Sequence, residues 1–322
     1  MKKKVCVTIV TYNRIKYLIK LLDALSKQTY SVSTIAIVDN NSSDETPAIL
    51  RENGIIENVI EGSEEISSWR GIQIHYYRSL ENTGGSGGFA QVMSMAQEYD
   101  CDYIWAMDDD VLPELDCLEQ LIKFCDDSNR MCIPCRCNEQ FQDYAVRKFD
   151  LTNPFLYHVN ECKQNLILGS EIEKDYVYVE DMAFEGPLLD SKLVKEIGIP
   201  NKEYFILFDD TDYAHRALDK TRIRYVKNAK LHKQIVPPQK KGSTWSWKAY
   251  YATRNAAYFD STYGKNFFVR NLRPRLRIVD LLLRAIMKGR FYRIKWLLRA
   301  HNDGMSHRMG KTVDPKEIPS RQ

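Results

Sequence analysis

No stretch of this 322-residue chain approaches the roughly 18 to 20 consecutive apolar residues that a helix needs to span a bilayer. The start, Met1-Lys2-Lys3-Lys4, is basic, but Val5 to Tyr12 alternates like a strand and has neither the length nor the small-residue cleavage site of a secretory leader. The expectation is a cytoplasmic protein whose eight cysteines stay reduced, because a reducing compartment disfavours structural disulfides. Zinc spacing is missing too: Cys132-Ile133-Pro134-Cys135-Arg136-Cys137, with Cys117 and Cys125 upstream, has no second Cys-x-x-Cys or His pair. Internal repeats, low-complexity segments and recognised nucleic-acid-binding motifs are absent, so no nucleic-acid partner is expected. What is there is the composition of a folded enzyme, 44% apolar, 28% charged and 11% aromatic. The length suits one large α/β domain with a tail.

The formal net charge of +3 hides an uneven distribution. Lys265 to Ala300 holds eleven Lys or Arg against the single acid Asp280, a net of +10, which leaves −7 for everything else. Within this basic segment the apolar residues Ile278, Val279, Leu281, Leu282, Leu283 and Ile286, then Phe291, Ile294, Trp296, Leu297 and Leu298, alternate with the charges. They predict two amphipathic helices split near Gly289. Such helices can rest on an anionic membrane surface, at about 1 kcal/mol per basic residue. The alternative is packing on the body with a solvated basic face. Residues from about Asn302 are polar and expected to be mobile.

The body opens β then α, with a strand at Lys4 to Val10 and helical spacing of Leu18, Leu21, Leu22 and Leu25 over Ile15 to Ser26. A strand at Thr34 to Val38 ends on Asp39, and a helix follows around Glu45 to Glu52. After an irregular stretch come a strand at Ile72 to Tyr77, a Gly-rich turn at Gly84 to Gly88, a helix to about Tyr99 and a strand at Tyr103 to Met107. This alternation argues for a Rossmann-like parallel sheet, which binds ligands at the carboxyl ends of its strands. Asp39 with Asn40, Asn82 through Gly88, and Asp108 through Asp110 all fall at such ends and should converge on one cleft. The second half is less regular: a strand near Met131 to Arg136, loops to about Val179, a Gly186-Pro187 turn and a helix from Ser191.

Three adjacent carboxylates, Asp108-Asp109-Asp110, repel one another unless a cation or hydrogen bonds compensate. Mg²⁺ or Mn²⁺ would suit them, since such ions take one or two carboxylates plus phosphate oxygens. A solvated acidic turn capping the next helix is the alternative. Asn82-Thr83-Gly84-Gly85-Ser86-Gly87-Gly88-Phe89 lets backbone amides approach a phosphate or sugar closely. It has neither the Gly-Lys-Ser/Thr ending of a P-loop nor a dinucleotide fingerprint. Asp209-Asp210-Thr211-Asp212 follows the apolar segment Tyr204 to Phe208, read as a strand, and can supply a general base or else cap a helix at Tyr213 to Leu218. His232 follows another apolar segment and is either a metal ligand or structural.

Taken together these motifs resemble family 2 glycosyltransferases. Thr11-Tyr12-Asn13-Arg14, Val38-Asp39-Asn40, Asn82 to Phe89, the aspartate triplet, Phe208 to Tyr213, His232 and Trp247-Lys248-Ala249-Tyr250-Tyr251-Ala252-Thr253-Arg254-Asn255 occur in the family's order, over about residues 4 to 260. The branch they look most like transfers galactofuranose or rhamnose. The resemblance implies a GT-A fold, a mostly parallel sheet flanked by helices, over residues 1–262. Its donor half would span about 1–112 and its acceptor half 113–262, with the basic helical tail at 263–322. It further implies that Thr11, Arg14, Asp39 and Asn40 lie around the base of a nucleotide sugar, while Asn82, Gly84 and Gly85 face that donor. Asp108 and Asp109 would adjoin it, and Asp108, Asp110 and His232 would hold Mn²⁺ or Mg²⁺. Asp210, with Asp209 as rival, would be the base, and Trp245 or Trp247 would border the acceptor. The implied activity is inverting hexosyl transfer from UDP-galactofuranose to a polysaccharide or lipid-linked glycan, on the inner membrane face if the tail docks. A dTDP-rhamnose donor or a non-catalytic sugar-binding module are the alternatives. The extra N-terminal and extensive C-terminal domains of the large polymerising galactofuranosyltransferases have no counterpart, and Ala252 is smaller than the residue that motif usually carries.

Overall fold

The computed structural model describes residues 2–136, 141–235, 245–314 and 316–318. The chain runs β1 (Val5–Thr11), α1 (Ile15–Ser26), β2 (Thr34–Asp39), α2 (Thr46–Glu52), β3 (Glu64–Trp69), β4 (Ile72–Arg78), α3 (Gly84–Ala96), β5 (Tyr103–Asp108) and β6 (Val111–Pro113). It continues through α4 (Cys117–Phe124), β7 (Met131–Cys135), β8 (Tyr144–Phe149), α5 (Val159–Cys162), β9 (Lys163–Leu168), β10 (Tyr176–Val179), β11 (Leu188–Asp190), α6 (Ser191–Ile197), α7 (Asp209–Leu218) and β12 (Ile223–Lys233). Three helices close it: α8 (Trp247–Tyr263), α9 (Phe267–Met287) and α10 (Ile294–Met305).

Nine strands form a sheet in the order β10-β12-β7-β11-β5-β1-β2-β4-β3, with β6 added against β12. The block β5-β1-β2-β4 is parallel, and its register pairs Val10 with Asp108, Thr11 with Asp39, and Asp39 with Arg78. That register brings the polar residues at the strand ends to one edge. Alternation of side chains sends Val5, Val7 and Ile9 to one face, under α1, α2 and α4, and Cys6 and Val10 to the other, under α3, α6 and α7. Leu18, Leu21 and Leu22 are fully buried there, each contributing about 1.5–3 kcal/mol of burial.

The second half differs from the sequence expectation. The loops expected up to Val179 contain the hairpin β8–β9 and the edge strand β10, and the irregular stretch before Ile72 contains the antiparallel edge strand β3. β3, β8 and β9 face solvent on one side and carry charges, so they lack the apolar signature of buried strands, and β10 is only four residues long. The tail does form two helices separated at Gly289, whose φ of +63° ends the first. Its last residues are not a free polar end. α10 extends to Met305, and Val313 and Ile318 are buried in a third apolar cluster with Phe205, Trp245, Tyr250, Tyr251 and Leu297. Arg273 and Arg277 also turn inward, where both pair with Asp260, so part of the basic charge serves packing. The seven described cysteines are free thiols; Cys137 lies outside the described residues. Among the described residues no helix is long and apolar enough to cross a membrane.

Candidate active site

The loops after β1 and β2 are laced together at the parallel strand ends. Asn13, with φ +54°, accepts hydrogen bonds at Oδ1 from the amides of Ser43 (2.7 Å) and Asp44 (3.2 Å). Asp39 is fully buried, and both its oxygens are engaged: Oδ1 by the Ser42 amide (2.7 Å), Oδ2 by the Tyr76 hydroxyl (2.8 Å) and Arg78 (3.2 Å). It therefore shapes the wall where a base was expected, and no free oxygen is left in this conformation. Asn40 donates to the Gly84 carbonyl (2.8 Å) and Asn82 Oδ1 (3.3 Å), and accepts from the Thr83 amide (2.9 Å). Thr11, Asp39, Asn40, Asn82 and Gly84 thus stand together at the parallel strand ends.

The glycine-rich segment is the first turn of α3, where a loop was expected. Gly84 has φ +76°, and a Cβ there would sit 2.0 Å from the Phe205 carbonyl oxygen; one at Gly88 would lie 2.5 Å from Val10 Cγ1. These two glycines permit close packing. Two amides of the turn are already used, Gly84 by Asn82 (2.8 Å) and Ser86 by Phe205 (3.2 Å). Gly85 alone opens onto free space.

At the end of β5 the three aspartates differ. Burial, then the neighbouring Glu185, Asp110 and Asp109, push the Asp108 carboxyl well above the usual range. Burial raises Asp109 to about 6, against the opposing pull of the Thr11 hydroxyl (2.7 Å) and Arg14 (3.1 Å). Arg14 also reaches Asp110 at 3.1 Å, where burial again raises the carboxyl. Glu185, just before Gly186, was not anticipated. Burial opposes its charge, but Arg136 and Lys233, each 2.6 Å away, hold it below the usual range.

His232 does not join this cluster. Adjacent residues on a strand point to opposite faces, so Lys233 faces Glu185 while His232 turns to Glu114, with Nε2 2.8 Å from Oε1. Among the described residues no group of three or more His, Cys, Asp or Glu is arranged to hold a metal ion. Asp108 and Asp110 still fit a hard divalent cation, because two oxygen ligands plus substrate phosphates are a usual set and buried like charges call for a counter-ion.

The second carboxylate group lies on α7. Tyr204 to Phe208 is not a strand: a 3₁₀ turn at Lys202–Tyr204 leads into a segment with left-handed Phe205 (φ +64°), Leu207 (+66°) and Phe208 (+72°). Positive φ is costly for such bulky side chains. The turn delivers Asp209 and Asp210 as the first residues of α7, which begins four residues earlier than the helix expected at Tyr213. Burial raises Asp209 to about 6; burial, then the charge of Asp209, push Asp210 up to about 7. Asp212 is no cap; it accepts from the hydroxyls of Tyr204 (3.1 Å) and Tyr263 (2.7 Å) and pairs with Arg216 (2.9 Å).

Asp210 lines a cavity of about 600 Å³ together with Arg136, Lys163, Asp181, Tyr144 and Tyr225. Lys163 and Asp181 form an ion pair at 2.6 Å. Both come from the half whose hairpin the sequence did not reveal. The described lining contains neither Trp245 nor Trp247. Trp245 is buried in the third apolar cluster with Arg293 5.0 Å from its ring centroid, and Trp247 packs on Phe205 and Tyr251. Large apolar rings gain more by that burial than at an open rim.

A parallel block ending in carboxylates beside a mixed block with its own carboxylates is the GT-A arrangement, which defines a class of sugar-transferring enzymes. The sequence pattern of Glycosyl transferase family 2 matches residues 6–170, and the chain belongs to that family. It is 25% identical over 225 residues to galactofuranosyltransferase GlfT1 of Mycobacterium tuberculosis, covering 68% of this chain and 65% of that protein's length. A mannosyltransferase from Pyrobaculum calidifontis, solved with GDP-Man and Mn²⁺, superposes with a TM-score of 0.55 at 13% identity, covering 95% of this chain and 88% of that one. For TarS of S. aureus the values are 0.50 and 15%, over 84% and 41% of the respective chains. These likenesses support the fold.

Proposed function

We propose that this chain is an inverting, metal-dependent glycosyltransferase that moves galactofuranose from its UDP donor to a glycan or lipid-linked glycan. The observation that carries the reading is the separation of two acidic groups: Asp108 to Asp110 at the parallel strand ends, and Asp210 on a cavity wall formed by the other half. The first group suits the leaving diphosphate and the second an attacking hydroxyl. In the step proposed, an acceptor oxygen bonds to the anomeric carbon as the bond from that carbon to the phosphate oxygen breaks. The hydroxyl proton passes to Asp210, and UDP departs. Asp108 and Asp110 would hold Mn²⁺ or Mg²⁺, which neutralises charge developing on the leaving diphosphate. Asn82 and Gly85 would line the donor, with the buried Asp39 and Asn40 fixing the wall behind. The acceptor is assigned to the cavity bearing Lys163 and Asp181, in place of Trp245 and Trp247. The galactofuranose donor is supported by the likeness to GlfT1, and the metal by the Mn²⁺ bound to the similar mannosyltransferase.

The proposal extends to location. Phe268, Val279, Leu283, Ile286, Met287 and Phe291 are exposed on the tail helices among the exposed Arg275, Arg284 and Lys288. That mixture suits an anionic surface on the cytoplasmic side of a membrane. The function itself is tested by nucleotide release from a panel of donors with Mn²⁺, Mg²⁺ or excess chelator. UDP-galactofuranose should be the preferred donor and chelation should abolish release; full turnover in chelator would sink the metal, and preference for dTDP-rhamnose would sink the donor.

A further inference from the structure

The left-handed segment that seats Asp209 and Asp210 does not hold itself. Asn255, in the middle of α8, donates from Nδ2 to three successive-region carbonyls: Tyr204 (3.1 Å), Ile206 (2.8 Å) and Leu207 (2.9 Å). Its own Oδ1 accepts from Arg254 Nε (2.8 Å), which fixes the orientation of the amide. Arg254 in turn donates from Nη2 to the Tyr204 carbonyl (2.8 Å) and from Nη1 to the Gly310 carbonyl (2.6 Å). Both side chains are fully buried. Carbonyls of one strand or helix do not converge on a single side-chain amide. Here they do because Phe205, Leu207 and Phe208 take positive φ, so donor and strained backbone require each other.

We infer that Asn255, oriented by Arg254, is a positioning residue for the proposed base: it holds the strained segment whose end places Asp210 on the cavity. The inference rests on the reading of Asp210 as base. Without Asn255 the carbonyls of Ile206 and Leu207 lose this donor while Tyr204 keeps that of Arg254, and the segment relaxes toward ordinary backbone angles, carrying the first turn of α7 with it. The strained segment also touches the donor side, since the Phe205 carbonyl receives the Ser86 amide at 3.2 Å. Donor binding has further supports in Asn40 and Asn82 and should change far less than turnover.

The test compares Asn255→Ala and the milder Asn255→Ser, which keeps one hydroxyl donor, with Asp210→Asn and with the double variant Asp210→Asn/Asn255→Ala. Measurements are kcat, donor Kd by calorimetry, thermal midpoint and the pH profile of kcat. Expected are a fall in kcat of about 10- to 100-fold for Asn255→Ala, a smaller fall for Asn255→Ser, a donor Kd within about threefold of the parent, and a displaced acidic limb. In the Asp210→Asn background, Asn255→Ala should add almost nothing, because groups acting as one unit are non-additive. A folded Asn255→Ser or Asn255→Ala protein with unchanged kcat and pH profile overturns the inference, as does a full extra loss in the double variant. If Asp210→Asn itself keeps near-normal turnover, it is the assignment of the base that has failed. Should Asn255→Ala not fold, Asn255→Ser decides by the same criteria.

Discussion

The two halves of the site are built by different means. On the proposed donor side, Thr11, Asp39 and Asp108 leave the ends of parallel strands in register, so each sits where its own strand puts it. On the proposed acceptor side, Asp210 follows a strained segment bonded to α8, which is in turn tied to the C-terminal stretch through Gly310 and Val313. A site made of strand ends follows from local pattern. One made of braces depends on contacts about fifty residues apart in sequence and more, such as Asn255 with Leu207.

The largest effect should come from the braced side. Asp210→Asn removes the proposed proton acceptor and should lower kcat by about 10² to 10⁴-fold, with donor affinity nearly unchanged in calorimetry. Because burial and Asp209 push the Asp210 carboxyl up to about 7, the base is protonated below that pH. Turnover should rise with pH through neutrality. Asp209→Asn removes a neighbouring negative charge that favours the protonated form, so the acidic limb should move to lower pH. A limb that stays in place, or moves upward, would mean that another group titrates there.

The same contrast explains what could be read from sequence. α1 was legible to the residue because its apolar spacing is that of a helix on a sheet, and β1, β2, β4 and β5 were legible as apolar runs. The motif residues Asn40, Asn82 and Gly84 were found, but their roles needed the structure. The glycines read as a turn letting amides approach a phosphate or sugar, and they form the first turn of α3, pressed on Val10 and Phe205. Tyr204 to Phe208 carries the letters of a strand, and nothing local announces three residues at positive φ in a segment that Asn255 hydrogen-bonds from α8. His232, Trp245 and Trp247 were placed by motif; strand alternation turns the first to Glu114, and burial takes the tryptophans into the apolar cluster. Glu185, Lys163 and Asp181 had no motif, and contacts between distant segments place them, Glu185 beside Arg136 and Lys233 and Lys163 beside Asp181.

The tail supplies a contrast of its own, between basic residues that pack inside and those that stay exposed, even where, as with Arg284 beside Asp280, they keep a surface partner. Arg273 and Arg277 clamp Asp260 inside, whereas Arg275, Arg284 and Lys288 stay exposed beside Leu283 and Met287. Sedimentation with anionic vesicles at low salt should carry the protein down, and raising salt should release it, since such attraction fades within a Debye length of about 10 Å at 0.1 M. Replacing Arg275, Arg284 and Lys288 by Gln should weaken binding several-fold while leaving the thermal midpoint nearly unchanged. Absence of binding at low salt would leave the exposed stripe without a membrane partner.

The smallest effect sharpens the donor side, and it separates glycines that pack from the one that faces open space. At Gly88 a methyl would meet Val10 Cγ1 at 2.5 Å, so Gly88→Ala should destabilise by about 1–3 kcal/mol, the usual cost of overpacking. At Gly85 an added Cβ meets nothing within 4 Å, and its φ is not in the left-handed region. Alanine is a better helix former than glycine by about 1 kcal/mol, so Gly85→Ala should leave the thermal midpoint unchanged or raise it slightly. If the open space at Gly85 is where the donor lies, the same methyl intrudes on the ligand alone, and the donor Kd should rise by about tenfold, equivalent to about 1.4 kcal/mol. Stability and affinity then move in opposite directions, a pattern that general damage cannot produce. An unchanged donor Kd in a stable Gly85→Ala protein would remove Gly85 from the proposed donor surface and leave Asn82 as the residue assigned to it.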